Sequence, residues 1–549
     1  MQRGSAKGGD VAVIRSKAIA ESAPFKASRE EHLALIAQFR ALEAKVVERS
    51  GQSRSRFAKR GQILPRERVD LLLDRDAPFL ELSSLCGLAM HDDDGADEVY
   101  GGGVITGIGV VSGVHSMIVA SDSGIKGGAM HPMGVEKVIR AQDIALQNKL
   151  PLIQLVESAG ANLARQADIF VRGGRTFANL ARLSAAGIPV IAVVHGSSTA
   201  GGAYQPGLSD YVVMVRGRSQ VFLAGPPLLK AATGEIAEAE DLGGAAMHCE
   251  VSGLGEYLAE DDVDAIRICR EIVASLAWND NLVPEPERVF DEPGCDAEEL
   301  LGIVPVDYRT PYDVREVIAR FVDGSDFLEF KPDYGSMTVT GHAAIEGRQV
   351  SIIGNNGPID ADGSTKAAQF IQLSCQTNRP LIFLQNTTGY LVGIEAERAG
   401  IVKHGSKMIQ AVTNASVPKI TLQIGASFGA GHYGMCGRSF DPHFLFSWPN
   451  NRISVMGGEQ AAKVMTIVGE ESARAQGREP DHEKLAAFGA KISESYSRES
   501  TALYATARLW DDGLIDPRDT RRVLAFCLAT AVEGRRRMVF PNSFGVARM

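Results

Sequence analysis

Two short clusters of small residues could do chemistry without any reactive side chain. They are Ala200-Gly201-Gly202-Ala203-Tyr204 and Gly429-Ala430-Gly431-His432-Tyr433. Each follows an apolar run that reads as a strand and opens a helical stretch. A helix start leaves amide N–H groups unpaired, and the peptide dipole there favours negative charge. With so little side chain in the way, a ligand carbonyl can reach the backbone. The chemistry such a place supports is an oxyanion hole that holds an enolate-like oxygen. Tight strand–helix packing also wants glycine, but the cluster occurs twice, which favours the chemical reading.

Other motifs carry less. Gly425-Ala426-Ser427-Phe428-Gly429 matches the GxSxG of a serine-hydrolase elbow and has a strand before it. Its counterpart, Gly196-Ser197-Ser198-Thr199-Ala200, lacks the last glycine, and His443 and His482 downstream have no triad context, so a hydrolase is disfavoured. His432 could steer a proton but reads more readily as structural. Gly107, Gly109 and Gly113 are spaced one residue too long for a dinucleotide fingerprint, and no GxxxxGK[ST] phosphate loop occurs. Asp92-Asp93-Asp94 looks like a metal cluster only superficially, so no metal site is expected.

The elements that must position the two clusters are themselves repeated. LPLIQLVESAGANL near 150 matches RPLIFLQNTTGYLV near 379, and GIPVIAVVHGSSTAGGAYQPG matches SVPKITLQIGASFGAGHYGMCG. The pairs Pro151 and Pro380, Gly160 and Gly389, Pro189 and Pro418, Gly196 and Gly425, and Tyr204 and Tyr433 all keep one spacing, 229 positions. An internal duplication follows, with two similar sites or one composite site. MIVASD, PLIQLVES and PVIAVVHG read as buried strands, and VEKVIRAQDIALQN and FANLARLSAAG as helices between them, an α/β organisation. Residues 28–49 read as an amphipathic helix with Ser28 as N-cap and Glu31 three residues on, after a mobile tail over 1–27. The Leu71–Leu73 run suggests a second short helix. The Pro-, Asp- and Glu-rich stretch around 275–310 reads as a linker. The expected division is a tail and helix over 1–60, one domain over 61–285, a linker over 286–310 and a second domain over 311–549.

Composition sets the outer bounds. The chain has 549 residues, 45% apolar and 23% charged, enough to build large cores. Glycine is high at 58 residues. The formal charge of −10 argues against a generic nucleic-acid surface. Seven cysteines without CxxC spacing suit a reduced, cytoplasmic chain, and no run of apolar residues is long enough to span a membrane.

With these residues in view, the sequence resembles the carboxyltransferase (β) subunits of biotin-dependent acyl-CoA carboxylases. The likeness runs from about Leu64 to near the C-terminus through LPRERVDLLLD, SGIKGGAMHP, GSSTAGGAY, FLAGPPLLKAATGE, SGLGEYLAEDD, VDGSDFLEF, NTTGYLVG, KHGSKMIQA, SFGAGHYGM, VMGGEQAA and LWDDGLIDPRDTRRVL. It implies two tandem crotonase-like (ClpP/crotonase) domains, each a β-β-α superhelix, in a ring of six β subunits within an α6β6 complex. It implies that an α subunit brings carboxybiotin, and that CO2 passes to an acyl-CoA carbanion with no protein acid–base residue strictly required. The Gly201 and Gly202 amides would hold the thioester oxygen, and Ala430 and Gly431 the biotin ureido oxygen, flanked by Phe428, Gly429, His432 and Tyr433.

No Ala-Met-Lys-Met biotinylation site and no ATP-grasp phosphate loop occur, so biotin, ATP and Mg belong to the partner, and coenzyme A arrives with the substrate. AAGIPVIAVVHGSSTAGGAY and KHGSKMIQA place the resemblance in the methylcrotonyl/geranyl branch. Methylcrotonyl-type sequences read like HFGRIFYNQARMSAAGIP, where this chain reads RGGRTFANLARLSAAGIP. A family phenylalanine thus aligns with Gly173 and a tyrosine with Ala178. Beside Gly174, Ala203 and Tyr204, this enlarges the expected acyl pocket, and geranyl-CoA becomes the first choice of substrate, 3-methylcrotonyl-CoA the second. Lys126, Gly127 and Gly128 are weak candidates for gripping CoA, as is Lys366. The alternatives are another acyl-CoA carboxylase, a biotin-dependent decarboxylase subunit, which would need a membrane pump partner, and a crotonase-type hydratase, which would need a carboxylate beside Gly202.

Overall fold

The computed structural model describes residues 13–90 and 99–547. Asp92, Asp93 and Asp94 lie outside the described residues. The chain forms two compact units. The N-terminal unit contains Arg40–Glu285, Ala507–Leu509 and Thr530–Met549; the C-terminal unit contains Met1–Phe39, Pro286–Thr506 and Trp510–Ala529.

This differs from the linear division expected, because both chain ends cross over. Ile14 N donates to Ser325 O at 3.0 Å and Ser16 Oγ to Glu316 at 2.7 Å, so residues 13–27 are pinned rather than a loose tail. The first helix is Ala23–Gly51, so Ser28 lies inside it and caps nothing. Its buried His32 meets Val304 O at 2.9 Å. At the other end, Gly534 packs on the Asn148 backbone and Glu533 meets His115 at 2.7 Å.

The N-terminal unit is built on an eight-stranded sheet: β1 (Leu80–Leu82), β2 (Val104–Val111), β3 (Val114–Ser121), β4 (Leu152–Ser158), β5 (Val190–Thr199), β6 (Tyr211–Val215) and β8 (Tyr257–Ala259) in that order, with β7 (Gln220–Phe222) beside β5. The C-terminal unit repeats the plan in seven strands: β9 (Leu328–Glu329), β10 (Thr338–Ile345), β11 (Arg348–Asn355), β12 (Leu381–Thr387), β13 (Lys419–Phe428) and β14 (Phe444–Ser447), with β15 (Arg452–Ser454) beside β13. In each, an antiparallel hairpin leads into parallel strands. The parallel strands are covered on both faces and read as continuous apolar runs.

The register irregularity is repeated too. β4 and β5 slip between Val156 and Ser158, and β12 and β13 slip between Gln385 and Thr387. The helices Pro132–Asn148 and Gln166–Ala185 cover the N-terminal sheet at the residues expected, and Ala361–Gln376 and Ile401–Thr413 occupy the same places in the C-terminal unit. Buried lysines tie each leading helix down. Lys137 donates to Gly101 O and Val104 O, and Lys366 to Lys331 O. Lys366 is fully buried, so it is a structural tether rather than a surface cation for CoA.

Candidate active site

Both clusters sit where a central strand ends. β5 stops at Thr199 and Ala200 turns the chain with φ +51°; β13 stops at Phe428 and Gly429 turns it with φ +55°. A left-handed residue ends the extended run and lets a helical turn begin at once. The first N–H groups of that turn have no acceptor within it. The matching turns pair Gly201 with Ala430 and Gly202 with Gly431.

Glycine serves packing and chemistry on different atoms here. A Cβ on Gly202 would stand 2.9 Å from Ser158 Oγ, and one on Gly431 would stand 2.8 Å from Gly389 Cα. The Cα side is therefore pressed against the end of the neighbouring strand. Above Gly201 the space is bounded by Phe177 and Met130, whose nearest atoms lie 3.7 and 3.9 Å from a Cβ position on that glycine. Phe177, absent from the sequence reading, stacks at 5.4 Å on the half-exposed Tyr204. Its helical spacing from Gly173 was the available signal.

Behind the second cluster lies a buried polar network. Ser427 Oγ lies 2.5 Å from Gln385 Oε1 and 2.8 Å from His432 Nδ1. Gln385 Nε2 donates to Met435 O at 2.7 Å, and Gln423 Nε2 to Gln385 Oε1 at 3.2 Å. Burial, with Arg438 adding to it, lowers His432 to about 4, so it is neutral at pH 7 and holds the turn rather than moving protons. Ser427 is fully buried within β13, and the sharp turn comes two residues later at Gly429. No nucleophile elbow exists there. Phe428 is buried edge-on to Tyr308 at 5.0 Å, and Tyr433 is half exposed.

Behind the first cluster, the equivalent positions are apolar: Val156, Val194 and Ala203 are buried. Under β5 a buried ionic group takes over the support. His195 Nδ1 meets Asp262 at 2.9 Å, and Arg68 bridges Glu157 and Asp262 at 3.0 and 3.4 Å. Burial of Asp262 opposes its ionisation, but His195 and Arg68 outweigh it and hold the carboxyl down to about 2.

The remaining candidates spread along two features. Gly173 and Gly174 lie on the helix Gln166–Ala185; a Cβ on Gly173 meets only Ile169, at 3.7 Å, and one on Gly174 meets nothing. Gly173 shares a helical stripe with Thr176, Phe177 and Leu180, whereas Ala178 points away from that stripe. Lys126, Gly127 and Gly128 all adopt positive φ, and Gly128 packs on Glu157 O. Gly127 lines an open cavity with Arg60, Ser158, Ala159 and Arg218. Those two arginines were not singled out in sequence, because only the fold brings residues 60, 127 and 218 together.

The carboxyl transferase domain model matches residues 56–546. The chain belongs to the carboxyl transferase family. It is 53% identical over 495 residues to the probable biotin-dependent acyl-coenzyme A carboxylase beta2 subunit of Mycobacterium tuberculosis, covering 90% of this chain and 92% of that one. It is 47% identical over 560 residues to the probable mitochondrial methylcrotonoyl-CoA carboxylase beta chain of Drosophila melanogaster, covering 98% and 96%. The solved geranyl-CoA carboxylase beta subunit of P. aeruginosa superposes with a TM-score of 0.92 at 55% identity, covering 98% and 100%. For this carboxyltransferase the crotonase-like α/β fold in two domains and the enzyme class read from sequence both hold. Among the described residues no helix is long and apolar enough to cross a membrane.

Proposed function

We propose that this carboxyltransferase moves a carboxyl group from biotin to the γ-methyl carbon of a 3-methyl-2-enoyl-CoA, with geranyl-CoA preferred to 3-methylcrotonyl-CoA. The observation that carries the reading is the pair of matched turns, each offering two amides and no acid–base side chain. Biotin, held on a separate α subunit that uses ATP and Mg, supplies the carboxyl group and a basic ureido group when bound.

The chain's own residues supply positioning and charge stabilisation. Gly201 and Gly202 amides hold the thioester oxygen. A 3-methyl-2-enoyl thioester that loses a γ-proton shares its negative charge between that oxygen and the γ carbon, so donors at the oxygen stabilise it where charge develops. One such donor is worth about 10²–10³-fold in kcat. Ala430 and Gly431 amides fit a ureido oxygen, since neutral donors suit a neutral carbonyl and the absent side chain of Gly431 leaves the turn tight. Phe428 and Gly429 back that turn, neutral His432 braces it, and Tyr433 flanks it. The cavity of Arg60, Gly127 and Arg218 would take the CoA phosphates, and Arg60→Ala would raise the KM for acyl-CoA severalfold with little change in kcat.

The preference for geranyl-CoA rests on Gly173 in place of a family phenylalanine and on the 55% identity to a protein named geranyl-CoA carboxylase. The assembly would be a β hexamer with six α subunits in the cytoplasm, testable by the mass of the purified complex. The deciding assay mixes this chain with its biotinylated α subunit, ATP and labelled bicarbonate, and compares geranyl-, 3-methylcrotonyl-, propionyl- and acetyl-CoA. Label fixed chiefly into geranyl-CoA is expected. A methylcrotonyl preference overturns the choice of substrate, and no label in any thioester overturns the reading.

A further inference from the structure

The two copies of one serine are used differently. Ser198 and Ser427 stand 229 positions apart, each near the end of the central strand of its sheet. In the N-terminal unit Ser198 Oγ donates directly to Gly202 O at 2.9 Å and so holds the turn that carries the first amide pair. In the C-terminal unit Ser427 gives its hydroxyl to Gln385 Oε1 instead, with His432 Nδ1 on its other side. The hold on the second turn then passes through Gln385, whose Nε2 donates to Met435 O at 2.7 Å, one residue past the short helix Gly429–Gly434.

A carboxamide can face either way, and only one way serves here. With its oxygen towards Ser427, Gln385 keeps its N–H for Met435 O; reversed, it would set two acceptors against each other. Gln423 fixes the choice. Its Nε2 donates to Gln385 Oε1 at 3.2 Å, and its own Oε1 accepts from Ser447 Oγ at 2.9 Å and Asn451 Nδ2 at 2.8 Å. The donors therefore run in one direction, from Ser447 and Asn451 through Gln423 and Gln385 to the carbonyl behind the amide turn. All of these side chains are buried.

The N-terminal unit shows that the same place can be built without polar groups. Val156 and Val194 stand 229 positions before Gln385 and Gln423, and Met214 pairs with Val194 as Ser447 pairs with Gln423. Val194 and Met214 share one buried apolar cluster with Ala203. Buried carboxamides are unfavourable unless every partner is present, so the apolar filling is the safer solution for stability alone. Apolar contacts fix no angle, however, whereas hydrogen bonds weaken steeply when bent.

We propose that Gln423 is a positioning residue for the biotin side: it sets the orientation of the Gln385 amide, and Gln385 sets the aim of the turn bearing the Ala430 and Gly431 amides. The proposal rests on those two amides holding the ureido oxygen. A helix of six residues has few bonds of its own, so its direction follows from what grips its ends. Aim matters, because a displacement of about 1 Å costs about 10²-fold in rate.

The test compares Gln423→Leu, which gives the position the apolar character of its counterpart, with Gln423→Glu, both in the complete α and β enzyme. Gln423→Leu removes the donor to Gln385. Its kcat is expected to fall by about tenfold or more with the KM for acyl-CoA unchanged, because the first amide pair is untouched. Backbone hydrogen exchange should rise in residues 428–436 and not in 199–207, which reads the turn without any reaction. Gln423→Glu keeps the acceptor for Ser447 and Asn451 but donates to Gln385 only when protonated. Burial raises such a carboxyl, so its kcat relative to the unaltered enzyme should recover as pH falls from about 8 to about 6. His432, lowered to about 4, does not titrate over that range. Unchanged exchange at 428–436 in Gln423→Leu, or a Gln423→Glu profile parallel to that of the unaltered enzyme, overturns the proposal. Faster exchange there with kcat unchanged supports the hold of Gln423 on the turn and counts against the ureido assignment. If Gln423→Leu does not fold, the Gln423→Glu profile decides alone.

Discussion

The two units hold the same backbone device in different surroundings. Strand, slipped register, left-handed residue and amide pair recur at a constant 229-residue spacing, and so does the buried lysine, Lys137 and Lys366. What changed after duplication is the support and the space beside it. Val156, Val194 and Ala203 in the N-terminal unit correspond to Gln385, Gln423 and His432 in the C-terminal unit, and Ala161 corresponds to Tyr390. Behind the amides one copy is apolar and the other polar. The backbone turn is the same in both. The side chains around it diverged, apolar in one unit and polar in the other.

The sharpest way to test the equivalence is Gly202→Val against Gly431→Val. Each puts methyl groups where a neighbouring strand end already stands, displacing the donors, and kcat should fall by about 10² or more in both. Circular dichroism checks that each variant is folded. A loss in one unit only would break the functional equivalence. Next in size is Tyr390→Ala, which removes a ring packed on the cluster of Ile359, Ile371 and Met408 and should cost about 3 kcal/mol or more, as removal of large core aromatics does, read as a lower unfolding midpoint of the C-terminal unit.

The polar network predicts a pH signature. His432 is lowered in the folded state from 6.5 to about 4, so the unfolded chain takes up the proton first as pH falls. Stability linked to this group is full above pH 6.5 and is lost between 6.5 and about 4, by at most about 3 kcal/mol. His432→Gln should flatten that part of the profile, measured by thermal midpoint against pH. Smallest is Ala200→Gly, which relieves a left-handed alanine but loosens the unfolded chain; stability should change by less than about 1 kcal/mol.

How much of this was legible follows from the range of the interactions. The strands from Met117, Leu152 and Val190 and the helices covering them are local apolar patterns, and they appear where the sequence places them. The crossing of the chain ends was not legible, because nothing near Ile14 announces Ser325 and nothing near Glu533 announces His115. Ser28 looked like a cap because the local signature was present; the helix begins five residues earlier, where Phe25 finds a buried place. Gly173 could be singled out by spacing, but Phe177, Arg60 and Arg218 needed neighbours distant in sequence.

The sequence by itself determined the duplication, the two amide clusters and the family, since these depend on residue identity and spacing along one chain. The tertiary structure alone decided which atoms surround each cluster. It sealed Ser427 away from solvent, turned Lys366 inward to a backbone carbonyl, and set Tyr390 against Gly405 and Gly434. The reason is physical: burial, cavities and the state of an imidazole are properties of what packs around a residue, and packing joins segments that the chain keeps hundreds of residues apart.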